Sequence, residues 1–162
     1  MTVSEYNQCV ENFADNLFRF ILKNLRDEEQ SRDIVQETFT KLWIKVEDVS
    51  FLKAKSYLFT TGYHTMIDWI RREKRNADFE KVPESSMGVS RDQSPDLQEI
   101  LQEALSRLPE IQRSVIMLRD YEGYSYQEIG EITNLNESQV KVYIYRARVT
   151  LKEYLVSIDL VL

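Results

Sequence analysis

Residues Tyr124–Leu155 read YSYQEIGEITNLNESQVKVYIYRARVTLKEYL. The pattern predicts two helices with a tight turn between them. Ser125 can cap the first while Glu128, three residues on, reaches back. Ile129 and Ile132 supply its apolar side. The turn is Thr133-Asn134-Leu135, and asparagine is among the few residues that tolerate a left-handed backbone. Asn136 with Gln139 can cap the second helix in the same way. There Val140, Ile144, Ala147 and Leu151 recur at helical spacing and share one buried face. Ser138, Val142, Tyr145 and Val149 point the opposite way. Lys141, Arg148 and Lys152 flank that outer face on one side, and Gln139 and Arg146 on the other. From Ser138 to Lys152 there are four basic residues and no acidic one, in a chain of net charge −6. This pattern is a helix-turn-helix, which would set its second helix in a DNA major groove. The candidate contacts are then Ser138, Gln139, Lys141, Val142, Tyr145, Arg146, Arg148 and Lys152. Two capped helices also occur in bundles whose basic face is only solvated, so the rest of the chain has to decide.

Working outward, 162 residues suffice for one domain or two small ones, and 43% hydrophobic content supports real cores. Four glycines and three prolines favour helices over a sandwich or barrel. The single cysteine, Cys9, excludes an internal disulfide, and no signal peptide or membrane-length apolar run is read. A cytoplasmic protein is expected. Overall acidity argues against coating DNA by bulk charge; it suits local DNA contacts and a second surface for a partner.

Upstream, three helices are expected. The first runs from about Val3 to Leu25, with Phe13, Leu17, Phe20, Ile21 and Leu25 inward. The second runs from about Glu28 to Val46, with Val35, Phe39, Leu42 and Val46 inward. Its other side carries a polar stripe of Asp33, Gln36, Glu37 and Thr40, which by default is a wet helix face. A loop with Phe51 and Leu52 follows, apolar residues that plug a core or meet a ligand. The third helix, about Ala54 to Asn76, begins aromatic and ends Trp69-Ile70-Arg71-Arg72-Glu73-Lys74-Arg75. Rings beside cations suit single-stranded nucleic acid, and equally a core helix whose basic end complements its dipole. His64 has no histidine or cysteine companions, so no metal site is expected. Residues 79–95 read as a linker, about 55 Å long at full stretch. Ser94-Pro95 opens the next helix, Leu108-Pro109 breaks it, and Gly123 ends the one after. Val156 to Leu162 can extend the last helix, fold back on it, or meet a partner.

The order of these pieces resembles the RNA polymerase sigma factors of the sigma-70 family, in the extracytoplasmic-function (ECF) group. Ser31-Arg32-Asp33-Ile34-Val35-Gln36-Glu37-Thr38-Phe39 is similar to region 2.2, which docks on core polymerase. Tyr57-Leu58 through Ile67-Asp68-Trp69-Ile70-Arg71-Arg72 resembles regions 2.3 and 2.4, which open and read the −10 element. Leu108-Pro109-Glu110 through Arg119-Asp120-Tyr121-Glu122-Gly123, with Glu128-Ile129-Gly130, resembles region 4, which reads the −35 element. His64 stands where the family usually has asparagine, and Gly130 where it often has alanine. Val140-Lys141-Val142-Tyr143 replaces the common Val-Lys-Ser-Arg. These departures bear on which promoter is read.

The resemblance implies an all-α protein of two small helical domains, 1–78 and 96–162, joined by a flexible linker at 79–95. It implies core RNA polymerase, promoter DNA and an anti-sigma factor as partners, with no cofactor, small-molecule substrate or enzymatic activity. Asp33, Gln36 and Glu37 would meet core polymerase. Phe51, Tyr63, His64, Trp69, Arg71, Arg72, Lys74 and Arg75 would hold melted −10 DNA. Two alternatives stand beside it: a one-component helix-turn-helix regulator, and a polymerase-binding adaptor with a weakened DNA face, suggested by Tyr143.

Overall fold

A computed structural model describes the backbone of residues 1–79 and 96–161, and the expected linker beyond Phe79 lies outside the described residues. The described residues are all α. The order is α1 Val3–Leu25, α2 Glu28–Ile44, a 3-10 turn Phe51–Lys53, α3 Ala54–Phe79, α4 Leu97–Ser106, α5 Glu110–Asp120, α6 Tyr126–Thr133 and α7 Glu137–Val161.

Local chemistry sets these boundaries. Thr2 and Glu5 form a capping box at the start of α1. The chain leaves α1 through Arg26 in the left-handed region (φ 56°), and Asp27 then caps α2 by accepting from the Gln30 N–H at 3.1 Å. The sequence marked that break without marking a left-handed arginine. Helix α2 stops at Ile44, two residues short of the expected end. Helix α4 is capped by Asp96, whose side chain accepts from the Glu99 N–H; Ser94 and Pro95, expected to open it, lie outside the described residues. The apolar tail extends the last helix through Val161.

Helices α1, α2 and α3 pack around Leu17, Phe20, Ile21, Ile34, Leu42, Leu58 and Met66. On α2 the inward set is Ile34, Phe39 and Leu42, with Val35 only half-buried, as is Val46 in the turn beyond the helix. Cys9 of α1 is fully buried. Helices α4 to α7 form a second bundle around Leu105, Val115, Leu118, Ile129, Ile132, Val140 and Ile144. The bundles touch: α5 lies against α1, and α6 against α3. Where they meet, the rings of Phe59 and Tyr124 stand 5.8 Å apart at 68°.

Candidate nucleic-acid interface and partner face

The helix-turn-helix is α6, Asn134 and α7. Ser125 and Glu128 form the capping box of α6, and Asn134 takes φ 62°, ψ 41°. Asn136 and Gln139 cap α7 reciprocally: the Gln139 N–H donates to Asn136 Oδ1 at 2.8 Å, and the Asn136 N–H donates to Gln139 Oε1 at 3.0 Å. The turn is tight enough to need a glycine. The Leu135 N–H donates to the Gly130 carbonyl at 3.0 Å, and a Cβ on Gly130 would stand 2.5 Å from the Leu135 carbonyl oxygen.

Burial of Val140, Ile144 and Ala147 turns the other side of α7 to solvent. Ser138, Gln139, Lys141, Val142, Tyr145, Arg146, Arg148 and Lys152 are all exposed, and a shallow groove runs past Asn136, Gln139, Val142 and Arg146. Three of the cations are held. Lys141 pairs with Glu137 at 3.5 Å and lies over the Tyr126 ring. Arg148 Nη2 donates to Asp120 Oδ1 at 3.0 Å. The Arg146 guanidinium sits 6.0 Å from the centre of the Tyr143 ring. Tyr143 itself is half-buried against the core, beside the outer face and not on it.

The residues expected along the melted strand separate on α3. His64, Arg71, Arg72, Lys74 and Arg75 are exposed. Trp69 is half-buried, and five residues of helix set it about 140° around the axis from His64. Tyr63 is buried: its ring meets that of His64 edge-on at 5.5 Å, and its hydroxyl donates to Glu110 Oε1 of α5 over a long 3.5 Å. Burial pushes this phenol above its ordinary range, with the Glu110 carboxylate adding to the effect. A strand therefore cannot reach Tyr63 in this arrangement. Phe51 is half-buried against the core, whereas its neighbour Leu52 is 93% exposed. The loop thus divides its two apolar residues between plug and surface: Phe51, expected on the melted strand, is the plug, and Leu52 is the one at the surface.

On α2, Asp33, Gln36 and Glu37 are exposed, with Glu37 paired to Lys41 at 3.3 Å. The stripe continues further than the sequence reading took it. Two turns beyond Glu37 and Gln36 stand Ile44 and Trp43, 75% and 47% exposed. Their spacing was legible, but apolar residues at a helix end were not counted as part of a polar face.

Among the described residues no helix is long and apolar enough to cross a membrane, and no cluster of three or more metal-ligating side chains forms. Sigma-70 region 2 matches residues 9–76, and Sigma-70, region 4 matches residues 98–151. The RNA polymerase sigma factor SigV of Bacillus subtilis is 32% identical over 155 residues, covering 94% of this chain and 92% of that protein. The ECF RNA polymerase sigma factor SigM of the same organism is 29% identical, over 94% of both chains. Among solved structures, the sigma factor RpoE of Bartonella quintana, in complex with the anti-sigma factor NepR, superposes with a TM-score of 0.78 at 25% identity. That match covers 94% of this chain and 98% of the other. Two matched regions in order, on an all-helical frame with an exposed recognition helix, place the chain in the extracytoplasmic-function group of the sigma-70 family of RNA polymerase sigma factors.

Proposed function

We propose that three faces of this chain divide the work of promoter recognition. As a sigma factor it directs core RNA polymerase to promoters. The α2 stripe of Asp33, Gln36 and Glu37, extended by Trp43 and Ile44, docks on core polymerase. The outer side of α3, with His64, Arg71, Arg72, Lys74 and Arg75, holds the melted −10 strand, and Leu52 reaches toward it from the preceding loop. The outer side of α7 reads duplex −35 DNA, with Arg146 and Val142 nearest base edges and Lys141, Arg148 and Lys152 nearest phosphates. The catalysis belongs to the polymerase. Residues 1–78 and 96–162 act as the two working domains in the cytoplasm, and an anti-sigma factor is the regulatory partner, as NepR is bound to the Bartonella protein. Tyr143 lies beside Arg146 on the flank of α7, with the guanidinium 6.0 Å from its ring, and leaves the outer face of α7 to Val142, Tyr145 and the cations.

The observation that carries this is the α2 stripe. Ile34, Phe39 and Leu42 hold the helix in its bundle, Trp43 leans one edge on the Tyr6 ring at 5.0 Å and leaves about half of itself exposed, and Ile44, 75% exposed, stands next to three polar side chains. Apolar anchors beside charged groups suit a partner surface, where charges set rate and orientation and buried contacts add affinity. Replacing Asp33 and Glu37 with Ala should change stability by less than about 0.5 kcal/mol. The same variant should bind core polymerase at least about tenfold more weakly, roughly 1.4 kcal/mol. Ile44→Ser should behave alike. Pull-down of core polymerase at wild-type strength by both variants would reduce the stripe to a solvated face.

A further inference from the structure

We infer that the outer face of α7 carries a site for one thymine, in which the Gln139 amide donates to O4 and Val142 packs on the 5-methyl group. This rests on the −35 reading above. Gln139 has two tasks at the start of α7. Its Oε1 accepts from the Asn136 N–H at 3.0 Å, while its own backbone N–H donates to Asn136 Oδ1 at 2.8 Å. A backbone N–H can bond only to the oxygen of a side-chain amide, so the capping box fixes which way the Gln139 amide faces. Its nitrogen is the atom left over, and that nitrogen donates to nothing among the described residues. Gln139 therefore meets an approaching base as a donor, with its acceptor already engaged. Val142 stands three residues on, beside Gln139 on the helix surface. It is 44% exposed, and both side chains line the same shallow groove, with Arg146 beyond them. The core face of α7 is supplied by Val140, Ile144 and Ala147, so folding leaves the Val142 side chain largely in water.

A donor beside a small apolar surface selects among the four bases. In the major groove guanine shows acceptors and no methyl group, adenine sets an acceptor beside a donor, and cytosine presents a donor. Thymine alone sets an acceptor, O4, beside a methyl group. The two-point grip that glutamine commonly takes on adenine needs both amide atoms, and here the oxygen is held by the Asn136 N–H. Adenine is therefore disfavoured where Gln139 reaches. Val142 sharpens the choice. It stands where the resembling family commonly has serine, whose hydroxyl can bond to any base, whereas valine gains only from a methyl group. Lys141 and Arg146 flank the pair and are exposed, placed to hold phosphates or a neighbouring base. The thymine contact then adds selection to a helix that the cations already hold in the groove.

The test uses the full chain bound to core polymerase, with promoter duplexes randomised across the −35 region. Wild type should select an element with thymine at one fixed position of one strand. Deoxyuridine at that position lacks only the methyl group and should weaken binding about fourfold. Val142→Ala should bind the thymine and deoxyuridine duplexes alike. Gln139→Glu keeps an oxygen for the Asn136 N–H but turns the free donor into an acceptor. The base it selects at that position should change from thymine to cytosine, whose N4 donates. Helical circular dichroism of both variants should match wild type. Each comparison is between bases within one variant, so a general loss of affinity cannot imitate it. A wild-type element in which no thymine is sensitive to deoxyuridine would overturn the proposal. So would deoxyuridine sensitivity that persists in Val142→Ala, or an unchanged thymine in the element selected by Gln139→Glu. A wild-type complex that selects no upstream element would instead overturn the promoter reading, and the thymine site with it.

Discussion

At Gly130 the requirement is steric. The Asn134 and Leu135 N–H groups both return to the Gly130 carbonyl, which draws the turn across the helix and leaves no room for a Cβ. Alanine would gain about 1 kcal/mol of helix propensity. It would have to push the Leu135 backbone aside, and crowding of this kind costs typically 1–3 kcal/mol. Gly130→Ala should therefore lower the melting temperature of the C-terminal bundle by several degrees; a rise would show that the turn relaxes freely. The substitution of glycine for the family's common alanine was visible in the sequence. Its reason was not, because the clash is with a carbonyl five residues on whose position depends on Asn134 being left-handed. Tyr63 teaches the same point from the other side. Next to exposed His64 it looked like a stacking platform, and only the presence of α5 makes it a buried hydrogen-bond donor.

Among the elements, α7 was the most legible, because its buried positions and its cations fall on a strict helical period and its cap residues are fixed in number and spacing. The same logic located the α2 stripe and missed its apolar end. On α3 the aromatic and basic residues are neighbours in sequence but do not share one face, since Trp69 points well away from His64. Within α7 the contribution of single residues should be uneven. Arg146 is exposed and joins no carboxylate among the described residues, while Arg148 is bonded to Asp120 and Lys141 is paired with Glu137. Arg146→Ala should cost about 1–3 kcal/mol of −35 duplex affinity if it reads a base. Loss of affinity confined to one base position marks direct reading; equal loss on all sequences with a shallower salt slope marks a phosphate contact. Unchanged affinity would remove Arg146 from the interface.

For the whole molecule, the two bundles and the span between them could be read from composition and spacing, but their contact could not. Asn24 and Arg113 are 89 residues apart, and Lys55 and Glu122 are 67 apart. No local pattern links such pairs, since each also makes sense as an ordinary surface residue. The lone thiol gives a way to follow this architecture in solution. Cys9 is fully buried, its thiol pushed up by that burial and by nearby Glu5. It lies about four helical turns from Asn24, where α1 meets the other bundle. Folded wild type should leave a maleimide unreacted, and denaturant should release one equivalent; fast labelling of the native chain would contradict the burial. The cysteine then works as a clock for one event only. Its labelling rate reports α1 leaving the N-terminal bundle, and it should stay silent when only the helix-turn-helix opens.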